Sequence, residues 1–430
     1  MKCSIGLLIA TISISTATFA AELPPVDFVK LGIENSSRLK AAKALIDEAR
    51  GNKNLARTAF NPLISYSANG SALDRSIDSR IAGLTVVAAN QWQGKMAIVA
   101  GMAIDISGEL RDQVRFADIG VQAAVIRTLI VKNELTRDIR VACLRELQAR
   151  QLLETAAVAS KNAIQRRDAV KLQFDEGVLT KFDVLRSETE VADAAQKVII
   201  AEDRLRVAHA NISRLIEVPE SSVPYITTAT LITDVPDSAI VVPLAMAQRP
   251  ELGLARLQIR AEELGVRLAG NSERPALSVG LQSYVLSNPS TFEPGRPVNA
   301  ASVQLRIPII DRGESKARTQ TSEARLEASK WTLKSIEESI RFQVSEAMSN
   351  LREAKERVEV ATRALKQAEE QYSIGQQRFE GGLTHGALSP MLELSDSQTV
   401  LTQAKNNLTN ARIDVLIAQA EIDYVMGGTK

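Results

Sequence analysis

The sequence predicts a mainly α-helical chain with a small β part, in which long coiled-coil helices accompany four β-strands that belong to a barrel shared between copies of the chain. Three observations lead there. The chain is built twice from one unit; each copy holds more than sixty residues of helical sequence without a proline; and each holds two short runs that alternate apolar with polar or small residues.

The duplication is read from register. Val184, Ser187, Val191, Ala194 and Val198 open a series with steps of three and four that runs to Leu215, and Leu394, Ser397, Leu401, Ala404 and Leu408 repeat it to Val425, 210 positions later. Ala56, Pro62 and Ser65 correspond to Ala269, Pro275 and Ser278 at an offset of 213. The expected organisation is a signal peptide at 1–20, a first repeat at 21–217, a linker at 218–240 and a second repeat at 241–430.

Each copy opens with a helical pattern, roughly residues 26–60 and 241–273, ended by Pro62 or Pro275, because proline lacks the N–H that continues a helix. Strand-like runs follow. Ile64, Tyr66, Ala68, Gly70 and Ala72 share one face in the first run, and Met96, Ile98, Ala100, Met102 and Ile104 in the second. Leu277, Val279 and Leu281, then Val303, Leu305, Ile307 and Ile309, do the same in copy two. The turn-rich segments Asp74 to Gly94 and Ser287 to Asn299 read as surface loops. Ser107-Gly108 and Asp311-Arg312-Gly313 then introduce the long helices.

Within those helices Val344, Ala347, Leu351, Ala354 and Val358, continuing to Tyr372, hold a heptad register, as do Ala149, Leu152, Ala156, Ala159 and Ala163. Small residues at these positions let helices approach closely. A helix of roughly 65 residues spans about 98 Å, and two shorter helices of roughly 35 and 37 residues sum to about 108 Å, so the short ones fit end to end beside the long one. Turns at Phe174-Asp175-Glu176-Gly177 and Phe379-Glu380-Gly381-Gly382 reverse the chain.

Met1 to Ala20 combines Lys2, an apolar run and a small-residue end, the pattern of a secretory signal cleaved before Ala21, and it is too short and too rich in Ser and Thr for a spanning anchor. Cys3 leaves with it, so Cys143 stands alone: no intrachain disulfide and no cysteine metal site are expected. A net charge of +1 and 4% aromatic residues offer neither a basic field nor stacking platforms for nucleic acid. His209 and His385 have no ligand or triad spacing, and phosphate loops, CxxC pairs and nucleophile elbows are absent, so neither an enzyme nor a cofactor is expected.

Four strands are too few to close a membrane barrel, which starts at about eight, and an open edge in lipid leaves backbone groups unsatisfied. Oligomerisation resolves this. Three copies supply twelve strands with the apolar face toward lipid; a dimer with eight also fits the count.

Arg249-Pro250-Glu251-Leu252 with Ala255, Ile259 and Ala269, Arg274-Pro275-Ala276-Leu277-Ser278, Ile307-Pro308-Ile309-Ile310-Asp311-Arg312-Gly313, and Phe379 with Gly382 before Leu394 together carry a family resemblance. In order, duplication and spacing the chain resembles the TolC or outer-membrane efflux protein family over essentially its whole mature length. The resemblance implies a homotrimer with a twelve-stranded barrel in the lipid of the outer membrane and a helical tube in the periplasm. It implies a passive duct, not a catalyst, serving a periplasmic adaptor and an inner-membrane transporter in drug efflux or type I secretion. The turn residues Phe174, Gly177, Phe379 and Gly382 are then the expected adaptor contacts. Acidic residues line the closed end in the family, and Glu393 and Asp396 are similarly placed, with Asp183 matching Glu393 in copy one. A ring of such carboxylates attracts cations; the alternative is solvated acids favoured by a helix N-terminus. Copy two carries five extra residues within Gly382 to Pro390. The competing reading is a periplasmic coiled-coil adaptor or structural rod, which predicts no lipid-facing strands.

Overall fold

The structure, a computed structural model, describes residues 25–81, 83–89, 91–226, 238–287, 297–381 and 390–428. The expected signal peptide, Gly382 and His385 lie outside the described residues. In chain order the elements are α1 (Pro25–Asn35), α2 (Ser37–Thr58), β1 (Leu63–Ala72), β2 (Ile77–Ile81), β3 (Leu84–Ala89), β4 (Trp92–Ile104), α3 (Glu109–Asp175) and α4 (Lys181–Ile216). They continue with α5 (Ser238–Gln248), α6 (Pro250–Ala269), β5 (Ala276–Ser287), β6 (Val298–Arg306), α7 (Glu314–Glu380) and α8 (Pro390–Val425). Contacts divide them into two compact units, the first drawn from Met1–Ser36, Leu135–Val235 and Met348–Glu421, the second from Ser37–Glu134, Pro236–Ala347 and Ile422–Lys430.

Both long helices, α3 and α7, run for 67 residues, and each is preceded by an aspartate that accepts from backbone amides at its start. Asp105 accepts hydrogen bonds from the backbone N–H groups of Leu110 and Arg111 and from Arg111 Nε at 2.7 Å. Asp311 accepts from Gly313 N–H at 2.9 Å and Ser315 N–H at 2.7 Å. Helix N-termini leave such donors unpaired, and a carboxylate there also meets the favourable end of the helix dipole. For Asp105, burial pushes the pKa up but the Arg111 and backbone bonds outweigh it; for Asp311 the Ser315 and Gly313 amides lead, and both carboxyls end lower than usual.

In the second unit β1, β4, β5 and β6 form one antiparallel sheet in that order, so the two copies of the repeat join through β4 and β5. Register places the expected apolar sets on a single face: Ile64 lies beside Ala100, Ala100 beside Leu281, and Leu281 beside Ala301. Met102, Val279 and Val303 form another row of that face, and Ile104, Leu277 and Leu305 a third. The face is uncovered in one chain, with Ile64 69% and Val303 74% exposed. Strands of 10, 13, 12 and 9 residues match the length needed to span a bilayer as tilted β-strands.

Three expectations change. The first turn-rich segment is not all loop: β2 and β3 pair as a separate hairpin, Thr85-Val86-Val87 being a β-branched run and Gly83 supplying a φ of 83° between the strands. The fourth strand ends at Arg306, short of Ile307 and Ile309, because Pro308 has no N–H to donate to a ladder. Each opening helix is in two pieces, broken at Ser36 and at Arg249, and Pro250 is the first residue of α6, where its missing N–H costs nothing. Within the expected linker, Glu220–Ser222 form one 3-10 turn and α5 already begins at Ser238.

The duplicated register is a packing seam. All ten of its positions in α8, from Leu394 to Val425, are buried, while in α4 Val184, Ser187, Ala201, Ile212 and Leu215 are buried and the other five half-buried. In the first unit Val358, Ala361 and Leu365 of α7 pack with Leu408 and Ala411 of α8, and Ala368 with Leu401 and Ala404.

Candidate functional site

The residues singled out from sequence gather in the first unit where α3 gives way to α4 and α7 to α8. Asp175 ends α3, and Gly177, at φ 77°, follows with its N–H donating to Phe174 O at 2.9 Å while Val178 N–H donates to Gln173 O at 2.8 Å. This pair of bonds closes a helix end on a left-handed residue, which glycine adopts without a steric penalty. Three residues later Thr180 caps α4: its N–H and hydroxyl both donate to Asp183 Oδ2, at 3.0 and 2.7 Å, and Asp183 N–H donates back to Thr180 Oγ1. Asp183 is therefore held in a capping box.

Glu393 sits in the first turn of α8 and accepts a hydrogen bond from Arg378 Nη1 at 3.0 Å; Asp396, one turn on, is exposed. Copy one has Arg186 at the position matching Asp396, so the paired acids of copy two have no duplicate. Beneath them Val170, Val184, Phe379, Met391 and Leu394 form one apolar cluster contributed by all four helices. The two turn phenylalanines part company there: Phe379 is 8% exposed inside the cluster, and Phe174 is 37% exposed beside Val178, Phe182 and Leu185, whose side chains also face outward.

A polar layer lies next to that cluster, and sequence reading did not find it. Ser395 of α8 donates to Glu190 Oε1 of α4 at 2.6 Å, Arg186 Nε approaches the same oxygen at 3.3 Å, and Arg166 Nη2 of α3 stands 3.7 Å from Glu190 Oε2. Asn162 donates to Gln398 at 3.3 Å on the next level. Asn162, Glu190, Ser395 and Gln398 each sit one position beside a seam residue, and only Arg166 continues the heptad series of its helix, so periodicity did not single the layer out. They tie α3 and α4 to α8 by bonds that are directional and can be exchanged for water, unlike the apolar seam around them.

His209 and Cys143 are both buried. His209 Nδ1 lies 2.9 Å from Glu146 Oε1, its ring stacks on Tyr225 at 4.2 Å, and Ile226 N–H donates to the other Glu146 oxygen at 3.4 Å. The pair fastens residues 220–226 to α3 and α4. Burial raises the Glu146 carboxyl above its ordinary value, against the opposing pull of His209. Burial first, and then Glu146, push the Cys143 thiol up to about 12, which keeps it an unreactive packing residue. Among the described residues no cluster of His, Cys, Asp and Glu has the makings of a metal site.

Comparison with known proteins agrees with this architecture. A family model described as outer membrane efflux protein matches residues 29–216 and again 241–428. The solved outer-membrane channel OprN is 17% identical with a TM-score of 0.80, covering 94% of this chain and 90% of its own. The outer membrane protein VceC from Vibrio cholerae, 15% identical, has a TM-score of 0.77 with 94% of this chain and 96% of its own covered. The CmeC outer membrane channel of Campylobacter jejuni, 14% identical, gives 0.79 with 94% and 85% covered. No curated protein matches the chain in sequence.

Proposed function

This chain belongs to the outer membrane efflux protein family, and on that premise we propose that it is a passive exit duct of the outer membrane. Three copies close a β-barrel in lipid and continue it as a helical tube in the periplasm, to which an inner-membrane transporter and a periplasmic adaptor deliver substrate for efflux or type I secretion. The N-terminal signal accounts for export. Phe174, with Val178, Phe182 and Leu185 exposed around it, supports an adaptor contact at the α3–α4 turn together with Gly177, and Phe379 and Gly382 mark the matching turn of copy two. Glu393 and Asp396 serve as an acidic ring at the closed end, and Asp183 as their copy-one counterpart.

The single observation that carries the reading is the sheet. Its predominantly apolar face is exposed, and β1 and β6 are edge strands, an arrangement that water penalises and that lipid with neighbouring copies satisfies. A coiled-coil adaptor has no use for such a surface. The reading is tested by fractionating cells and reconstituting the purified protein in planar bilayers. Recovery in the outer membrane as a detergent-stable trimer that conducts is expected; a soluble periplasmic protein without pores would sink it.

A further inference from the structure

Across β1, β4, β5 and β6 only two residues carry charge, Lys95 and Arg306, and both are basic. The register puts them on one face. Lys95 alternates with Met96 and Ile98 of the apolar face and so lies with Ala97 and Val99; Arg306 pairs with Ala276, which shares the face of Gln282 and Tyr284. Lys95 Nζ stands 4.9 Å from the centroid of the Tyr284 ring, a diagonal neighbour on that same polar face. Two carboxylates follow these strands in sequence at the Arg306 end of the sheet. Asp105 and Asp311 both cap helices, and Asp105 is paired with Arg111 as well.

With the apolar face toward lipid, the polar face lines the lumen, and each basic residue appears once per copy. Lys95 stands beside Leu286 and Arg306 beside Ala276, levels separated by about 33 Å along the strands. That exceeds the screening length of about 8 Å at physiological salt several times over, so the two levels act independently. A ring of fixed positive charge within low-dielectric walls concentrates anions and repels cations.

Resting on the channel reading above, we propose that Lys95 and Arg306 form two basic rings that make the barrel part of the duct prefer anionic solutes. The acidic residues Glu393 and Asp396 belong to the other compact unit and are tested separately.

The experiment is a reversal-potential measurement in a KCl gradient at low ionic strength, on wild type and on Lys95→Gln with Arg306→Gln. Loss of the rings is expected to lower the chloride-to-potassium permeability ratio roughly threefold, with the difference shrinking in concentrated salt. Lys95→Glu is expected to shift the ratio further in the same direction, and Lys95→Arg to leave it as in wild type. Where a double variant does not assemble, Lys95→Cys channels are reacted after assembly with a cationic or an anionic methanethiosulfonate, Cys143 being buried; the two adducts are expected to move the ratio in opposite directions. Conducting trimers whose ratio ignores every change at Lys95 and Arg306 overturn the proposal and leave the channel reading standing. A wild-type protein that forms no pore overturns both.

Discussion

Ser395 on α8 donates its hydroxyl to Glu190 on α4 across 2.6 Å, and that same carboxylate is the counter-charge of Arg166, whose Nε and Nη1 are buried without a hydrogen-bond partner. The two residues therefore differ in what their loss exposes. Ser395→Ala removes one hydrogen bond and is expected to cost about 1 kcal/mol of stability. Glu190→Gln strands a nearly buried guanidinium and is expected to cost about 2 to 3 kcal/mol, allowing for partial exposure of the pair. Denaturant unfolding followed by circular dichroism checks this. Equal losses for the two substitutions would contradict the role given to Glu190.

Gly375 of α7 packs against the start of α8 so closely that a Cβ there would lie 2.9 Å from Ser397 Oγ and 3.6 Å from Glu393 O. Ser397 has little freedom to withdraw, since it is buried and donates to Leu394 O at 2.9 Å. Gly375→Ala gains about 1 kcal/mol of helix propensity but overpacks the seam by a further 1 to 3 kcal/mol, and net destabilisation is expected. Combining it with Ser397→Ala removes the obstructing oxygen. The double variant is expected to be more stable than the two single losses predict, which a thermal double-mutant cycle measures.

Glu146 gives the protein a pH-dependent term. Burial raises its folded-state pKa above the ordinary 4.5, so the folded state holds the proton longer than the unfolded state does. Stability from this group is then fullest at and below that value and falls as pH rises from 4.5 toward the folded-state pKa. His209 and Arg150 oppose the effect by favouring the charged form, and Ile226 N–H does the same. Glu146→Gln, which no longer titrates, is expected to gain on wild type as pH rises from about 4.5 to 7.5, and His209→Gln to lose ground over the same range. Melting midpoints across that range read the result; parallel curves would show that Glu146 does not titrate there.

The acidic ring proposed for Glu393 and Asp396 would not be electrically simple, because Arg378 already donates to Glu393 at 3.0 Å. Asp396→Asn removes an exposed acid alone, whereas Glu393→Gln also frees a guanidinium. Both are expected to lower potassium preference in planar bilayers, the second at least as much as the first. Unchanged selectivity in both would leave Glu393 and Asp396 as solvated acids near a helix N-terminus.

The architecture was legible where it follows from local periodicity and from what a residue type cannot do. Steps of three and four from Leu394 to Val425 mark a buried seam at all ten positions, and alternation from Ile64 to Ala72 marks one face of a sheet. Pro62 and Pro275 stop helices because they lack an N–H, and that needs no knowledge of neighbours. The break at Arg249 was equally open to reading, since Pro250 announces it. The hairpin β2–β3 was hidden among turn residues, because five- and six-residue strands are too short for periodicity to outweigh Gly83 and the Asp74, Ser76, Asp78 and Ser79 that precede it.

What the amino-acid order determined by itself is the duplication, the helix lengths and the sidedness of the strands, all set by the chain's own covalent repeat and its 3.6- and 2-residue periods. Only the tertiary structure decided which polar residues meet. Ser395 and Glu190 are 205 residues apart, Glu146 and His209 are 63 apart, and Arg378 and Glu393 are 15 apart. Such pairs depend on the relative rotation and offset of packed helices, which no single helix's sequence encodes. The register that gathers Lys95 and Arg306 on one face likewise exists only once β4, β5 and β6 have paired.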